Sequence, residues 1–193
     1  MIYAVICAAG AGTRMGQNKA LCQISGSKTF LSSIVDTLRL CGIIDIVVVL
    51  GSEHEKVREF YRELPVRWAY NRQWQSTFML ESLLCGLDKV PLGQDVIHWP
   101  VDCLFVHPDD LNRLIGRAGC GTSVLCWHGV PGHPIMLGKD DADKLRHHAK
   151  NYSSLREFVE NCHCTMIEAA YPALLNCNSP DMLEQFLAGN KTI

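Results

Sequence analysis

The sequence predicts an α/β fold, a single three-layer α/β/α domain over residues 1–193 with a mostly parallel central sheet. Three observations lead there. The apolar runs "IYAVICA" at 2–8 and "IDIVVVL" at 44–50 lack the polar alternation of a one-sided strand and fit strands covered on both faces. Segments of helical period lie between such runs, and right-handed crossovers then place helices on both faces of a parallel sheet. A chain of 193 residues supports one sizeable core, whereas two half-length domains would each be marginal.

Each element follows in order. The strand at 2–8 runs into a loop containing Gly10, Gly12 and Gly16. Phe30 to Leu40 carries Leu31, Ile34, Val35 and Leu38 near helical spacing, and Cys41-Gly42 stops it before the strand at 44–50. A helix over 53–64, a short strand at 66–70, a helix over 78–87 and a strand at 95–101 continue the alternation. Pro108 and two acids open a helix over 108–118, good chemistry for a helix start. Strands at 123–127 and 133–137, helices near 139–149 and 152–161, a strand near 164–169 and a helix from Pro180 to Ala188 complete the chain. Ligands of such sheets bind beyond the carboxyl ends of the strands, where the glycine loop and Asp102 both fall.

Composition narrows the function. Hydrophobic residues make up 48% and charged residues 20%, and no apolar stretch approaches the roughly 18 residues a membrane span needs. The first apolar run has no basic segment ahead of it, so the expectation is a soluble, cytoplasmic protein without a membrane partner. A net charge of −2 provides no field for holding nucleic acid. The 10 cysteines fall within strands and helix faces of a chain too large to need staples, which fits free thiols in a reducing compartment. Cys162-His163-Cys164 has the spacing of a strand rather than of a tetrahedral zinc site.

The glycine loop is the most informative segment. Glycines let successive backbone N–H groups turn inward, and such a turn makes a concave anion site. The spacing 10, 12, 16 misses the dinucleotide fingerprint, and Lys19, between Asn18 and Ala20, misses the Walker pattern. What remains is a loop with two cations, Arg14 and Lys19, suited to neutralising a triphosphate and the charge that moves onto departing pyrophosphate. A plain strand-to-helix turn with two solvated charges is the other reading of these residues.

"AAGAGTRMGQNKAL" (8–21) resembles the signature of the MobA-like NTP transferase family, which includes the molybdenum cofactor guanylyl- and cytidylyltransferases and the sugar-phosphate nucleotidyltransferases; the eleven positions from Ala9 to Lys19 carry it. The resemblance implies a Rossmann-like sheet of the nucleotide-diphospho-sugar transferase type. It makes Ala8, Ala9, Gly10, Gly12, Thr13, Arg14 and Lys19 nucleotide-binding residues, with Arg14, Lys19 and Asp102 catalytic. "NRQWQSTFMLESLLCGL" (71–87) is similar to the family's Asn-x-x-Trp segment and implies base or ribose contacts by Asn71 and Ser82, although Thr77-Phe78 stands where the family has Gly-Met. "HWPVDCLFVHPDDLNRLI" (98–115) resembles the strand, aspartate and following helix of the family, with Asp102 retained and Cys103-Leu104 in place of the usual company. "GVPGHPIML" (129–137) looks like the Gly-x-x-Gly-His-Pro motif of the molybdenum cofactor cytidylyltransferase branch and implies an acceptor-binding His133.

The resemblance further implies Mg²⁺ as cofactor, held by Asp102 and by the residue at 178. The family carries Asp-x-Asp-Thr-Pro there, and this chain reads "NCNSPDML" (176–183), with Asn176 and Asn178 at the acidic positions. An amide carbonyl ligates a hard cation more weakly than a carboxylate. Ala8-Ala9-Gly10 matches the cytidylyl members, so the expected substrates are CTP and a phosphorylated small-molecule acceptor, molybdopterin first, with a molybdoenzyme as possible partner. The alternatives are a phosphosugar or phosphocholine acceptor, and a non-catalytic nucleotide-binding partner of a molybdoenzyme.

Overall fold

The β-branched run Val47-Val48-Val49 has no exposed face, and the architecture follows from how that is achieved. The computed structural model describes residues 1–170 and 176–189. β1 (Ile2–Ala8) leads through a hairpin of β2 (Gln23–Ser25) and β3 (Lys28–Thr29) to α1 (Phe30–Leu40). There follow β4 (Ile46–Leu50), α2 (His54–Phe60), β5 (Arg67–Tyr70), α3 (Met79–Leu87), β6 (Asp95–Pro100) and α4 (Pro108–Ile115). β7 (Ser123–Trp127), β8 (Val130–Leu137), α5 (Lys139–His148), α6 (Leu155–Glu160), β9 (Thr165–Glu168) and α7 (Pro180–Gly189) complete the described residues.

The main sheet has the order β5-β4-β1-β6-β8-β7-β9, and its pairs are parallel except those that β8 makes with β6 and β7. Alternate residues of each central strand serve opposite cores. Ala4, Ile6, Val48, Leu50, Ile97 and Trp99 pack with Leu31, Ile34 and Leu38 of α1 and Leu111 and Leu114 of α4. Tyr3, Val5, Cys7, Val47 and Val49 pack with Leu80, Leu83 and Leu87 of α3, Leu145 of α5 and Phe158 of α6. Both faces are covered, which is why these strands read as unbroken apolar runs. Gly86 lets α3 lie directly on the sheet: a Cβ there would stand 2.3 Å from a Val5 methyl and 2.9 Å from a Val49 methyl.

After β1 the chain builds outward through β4 to β5, then returns to the other side of β1 with β6. The carboxyl ends of β1 and β6 therefore flank the point where the winding reverses, the place where open α/β sheets form a ligand crevice.

Several expectations are adjusted. The helix expected over 53–64 is His54–Phe60, because the chain turns at Tyr61, whose hydroxyl donates to the Ala20 carbonyl at 2.6 Å. The helix expected near 152–161 starts at Leu155, where Ser154 accepts from the Glu157 amide. β8 begins at Val130, three residues earlier than expected, since His128 and Gly129, both with positive φ (51° and 74°), form the tight turn from β7. The β2–β3 hairpin is too short to leave a periodicity.

Candidate active site

The loop after β1 presents unspent donors. Gly12, at φ +65°, has room for no side chain, since a Cβ would lie 2.1 Å from the Gln17 carbonyl oxygen. The turn that follows uses the amides of Met15 and Gly16, which donate to Gly12 and Thr13 carbonyls at 2.8 and 3.2 Å. Among the described residues the amides from Gly10 to Arg14 meet no acceptor. Asn18, fully buried, anchors the far end: its side chain accepts from the Ala20 amide at 3.0 Å and donates to the Ser52 carbonyl at 2.9 Å. Lys19 thus starts a short 3-10 turn in a fixed position.

Asp102 lies just past β6, whose register with β1 continues through the Val101 amide onto the Cys7 carbonyl at 3.0 Å. Lys19 Nζ donates to Asp102 Oδ2 at 2.6 Å and to Asn178 Oδ1 at 2.7 Å, and Arg14 Nη2 donates to the same Asn178 oxygen at 3.0 Å. The segment bearing Asn178 is strapped to Asp102: the Cys177 amide donates to the Asp102 carbonyl at 2.7 Å, and Asn176 pairs with Cys103 in a β-bridge. Gly10, Gly12, Thr13, Arg14, Lys19 and Asp102 line a cavity of about 180 Å³, walled by two cations, one carboxylate and a row of free amides. That lining suits a polyanion. The oxygens of Asp102 and Asn178 already converge on one cationic nitrogen, the arrangement that a hard divalent cation also needs, and one carboxylate with phosphate oxygens is a usual Mg²⁺ set.

A second cavity of about 190 Å³ adjoins the first, sharing Cys7, Gly10 and Met79 with it, and is lined further by Ala9, Trp74, Thr77, Phe78 and Ser82. Asn71 stands behind it rather than in it. Its amide nitrogen donates to Thr77 Oγ1 at 2.8 Å and Ser82 Oγ at 3.0 Å, and its oxygen accepts from the Gln73 amide at 3.0 Å, so the side chain is spent on shaping the segment. Ser82 accepts from Asn71, and its own hydroxyl hydrogen has no acceptor among the described residues. Gly51 closes the back of this region, where a Cβ would lie 2.5 Å from the Ala9 carbonyl oxygen and 2.6 Å from Trp74 Cβ.

His133 is placed differently from the loop residues. It packs edge to face on His98 with ring centroids 5.3 Å apart, beneath the cavities rather than in their lining, and its carbonyl lies 3.4 Å from Cys103 Sγ. His98 is fully buried in β6 with Nδ1 3.8 Å from Cys7 Sγ. His98 Nε2 and His133 Nδ1 have no partner among the described residues. Burial lowers the His133 pKa to about 4 against the opposing charge of Asp102, and burial followed by the neighbouring His133 takes His98 well below its ordinary value. Both rings are neutral at neutral pH, so His133 offers a hydrogen bond rather than a cation. His98 and Cys7 escape a sequence reading, since a lone His or Cys inside an apolar run gives no signal of a shared site.

A larger concavity, about 800 Å³, lies between α2 and β5 and contains no residue of the glycine loop. Among the described residues no three His, Cys, Asp or Glu side chains group to hold a metal, all 10 cysteines are free, and no helix is long and apolar enough to cross a membrane.

The MobA-like NTP transferase domain family matches residues 4–167. The Bifunctional protein GlmU of Symbiobacterium thermophilum is 35% identical over 116 residues, 59% of this chain and 24% of that protein. The chain spans about a quarter of the length of the curated relatives it matches. A nucleotidyl transferase from Methanothermobacter thermautotroptrophicus superimposes with a TM-score of 0.81 at 23% identity, covering 100% of this chain and 99% of the other. The CTP:phosphocholine cytidylyltransferase of Streptococcus pneumoniae does so with a TM-score of 0.77 at 16% identity, over 98% and 99% of the two chains. At these identities the two structures speak for the fold alone.

Proposed function

We propose, from the premise that this chain belongs to the MobA-like NTP transferase domain family, that it moves CMP from CTP to a phosphomonoester acceptor, molybdopterin or its metal-loaded form, and releases pyrophosphate. The chain is a nucleotidyltransferase; the base and the acceptor are our reading. One observation carries it: Lys19 and Arg14 meet Asp102 and Asn178 at the mouth of a loop whose amides are free.

In this reading the free amides of Gly10 to Arg14 and the two cations receive the triphosphate. An acceptor phosphate oxygen forms a bond to the α-phosphorus, the bond from that phosphorus to the bridging oxygen breaks, and pyrophosphate leaves with the electron pair. The acceptor is already anionic, so no general base is required. Catalysis rests on alignment and on cations placed where charge accumulates. Asp102 and Asn178 would hold Mg²⁺, which when bound neutralises phosphate charge and fixes its geometry. Asn178 also keeps Arg14 and Lys19 together before substrate arrives. Ala9 lines the adjoining cavity, and its methyl group supports a smaller base there; one carbon discriminates by ~1–3 kcal/mol. The Gly-x-x-Gly-His-Pro motif around His133 supports molybdopterin as acceptor.

A different acceptor, phosphocholine or a phosphosugar, is favoured by one observation, the replacement of Gly-Met by Thr77-Phe78. Pyrophosphate release measured with each of the four nucleotides against molybdopterin, phosphocholine and sugar phosphates decides. CTP with molybdopterin is expected to be fastest. A preference of about tenfold or more for GTP or ATP overturns the base assignment, and nucleotide binding without release under any acceptor supports a non-catalytic role.

A further inference from the structure

Phe78 is not explained by the chain's own packing. Its side chain is 78% exposed, yet it stands on the rim of the cavity that Ala9, Gly10, Trp74, Thr77 and Ser82 line. An exposed aromatic ring on a mobile loop means little. This one is on a rigid stub. The Phe78 amide donates to Glu81 Oε2 at 2.9 Å, and its carbonyl accepts from the Ser82 amide at 3.4 Å as α3 begins. Thr77, immediately before it, is held at its hydroxyl by Asn71 and by the Gln73 carbonyl, both at 2.8 Å. The backbone that bears the ring is therefore fixed before any ligand arrives, so an aromatic contact there orders a side chain but no loop.

The two small cavities share Cys7, Gly10 and Met79, so a ligand with its phosphates against the free amides of the loop carries its next portion past Met79 toward Phe78. We propose that Phe78 is the stacking platform for the nucleobase, so that the site distinguishes a ring-bearing triphosphate from a bare polyphosphate by an apolar face rather than by hydrogen bonds alone. This rests on the reading of the loop as a triphosphate site and specifies how the rest of that ligand is held. Because every base has a π-face, the platform grips without choosing among bases; choice falls to Ala9 and to the free hydroxyl hydrogen of Ser82.

The test measures the dissociation constants of CTP, ATP and inorganic tripolyphosphate by titration calorimetry on wild-type protein and on Phe78→Ala, Phe78→Leu and Phe78→Tyr. An exposed ring can be removed without disturbing the fold, since the caps of α3 use the backbone of residue 78. Phe78→Ala is expected to weaken both nucleotides by a similar factor, about 5- to 150-fold, with tripolyphosphate unchanged. Phe78→Tyr should retain wild-type binding, and Phe78→Leu should follow the alanine variant. The proposal is overturned if nucleotide affinity in Phe78→Ala stays at the wild-type level, if Phe78→Leu binds as well as wild type, or if tripolyphosphate weakens as much as the nucleotides. Tripolyphosphate that fails to bind the wild type, beside CTP that binds and loses affinity in Phe78→Ala, would instead undo the loop reading and leave the platform supported.

Discussion

Acidification should destabilise this protein through the two histidines beneath the cavities, and the size of the effect can be worked out for His133. Its pKa stands at about 4 in the folded chain because burial penalises the imidazolium, against an ordinary 6.5. A base whose folded pKa is depressed takes up its proton more readily when unfolded. Its contribution is nil above the unfolded value, grows as pH falls through 6.5, and is complete below the folded value of about 4. At pH 5 the linkage relation gives a loss of about 2 kcal/mol from this residue, and its full loss is about 3 kcal/mol. His98 adds in the same direction. Urea unfolding at pH 7 and pH 5, on wild type and on His133→Leu, reads the effect, because titrating groups away from this pair cancel. The variant also relieves the repulsion that His133 exerts on His98, so about 2 kcal/mol is a floor for the difference between the two pH-induced losses. A difference under ~0.5 kcal/mol would falsify the picture of two neutral, sequestered imidazoles.

Three further outcomes are expected. Lys19→Met, which removes the ammonium lying between Asp102 and Asn178, should lower turnover by roughly 100- to 1000-fold in a pyrophosphate-release assay while circular dichroism stays unchanged; a near wild-type rate takes Lys19 out of the reaction. Gly12→Ala places a Cβ at 2.1 Å from the Gln17 carbonyl oxygen and forces the loop open, so nucleotide affinity measured by calorimetry should fall by about tenfold or more. Gly86→Ala drives a methyl group into Val5 and should cost about 1–3 kcal/mol in urea unfolding, and an unchanged midpoint would mean that α3 is not seated as tightly as described.

Where several local signals agreed, the fold was readable from the residues. The helix over Phe30–Leu40 has its stripe of apolar positions and a Thr29–Ser32 capping box, and its bounds are the expected ones. The strands at 2–8 and 123–127 likewise announce themselves, because burial on both faces demands unbroken apolar runs. The meeting of Arg14, Lys19 and Asp102 followed from placing two strand ends side by side. Other features depend on contacts between distant residues and leave no local mark. Asn178 is marked by its place in the motif at 176–183, but that it accepts from Arg14 across 164 positions is a contact no local pattern announces. The hydrogen bonds of Asn71 to Thr77 and Ser82 leave no mark either, since an amide and two nearby hydroxyls make no periodic pattern. His98 is hidden in the apolar run of β6, where its neighbour His133, 35 residues along the sequence, cannot be inferred.

The contact between Lys19 and Asn178 spans 159 positions, and the Asp102 carbonyl is held by the amide of Cys177. A growing polypeptide lays down its glycine loop and then its aspartate, but it has to wait for residue 178 to emerge before the three can meet. Products that stop before residue 178 therefore carry every strand of the main sheet without a finished centre.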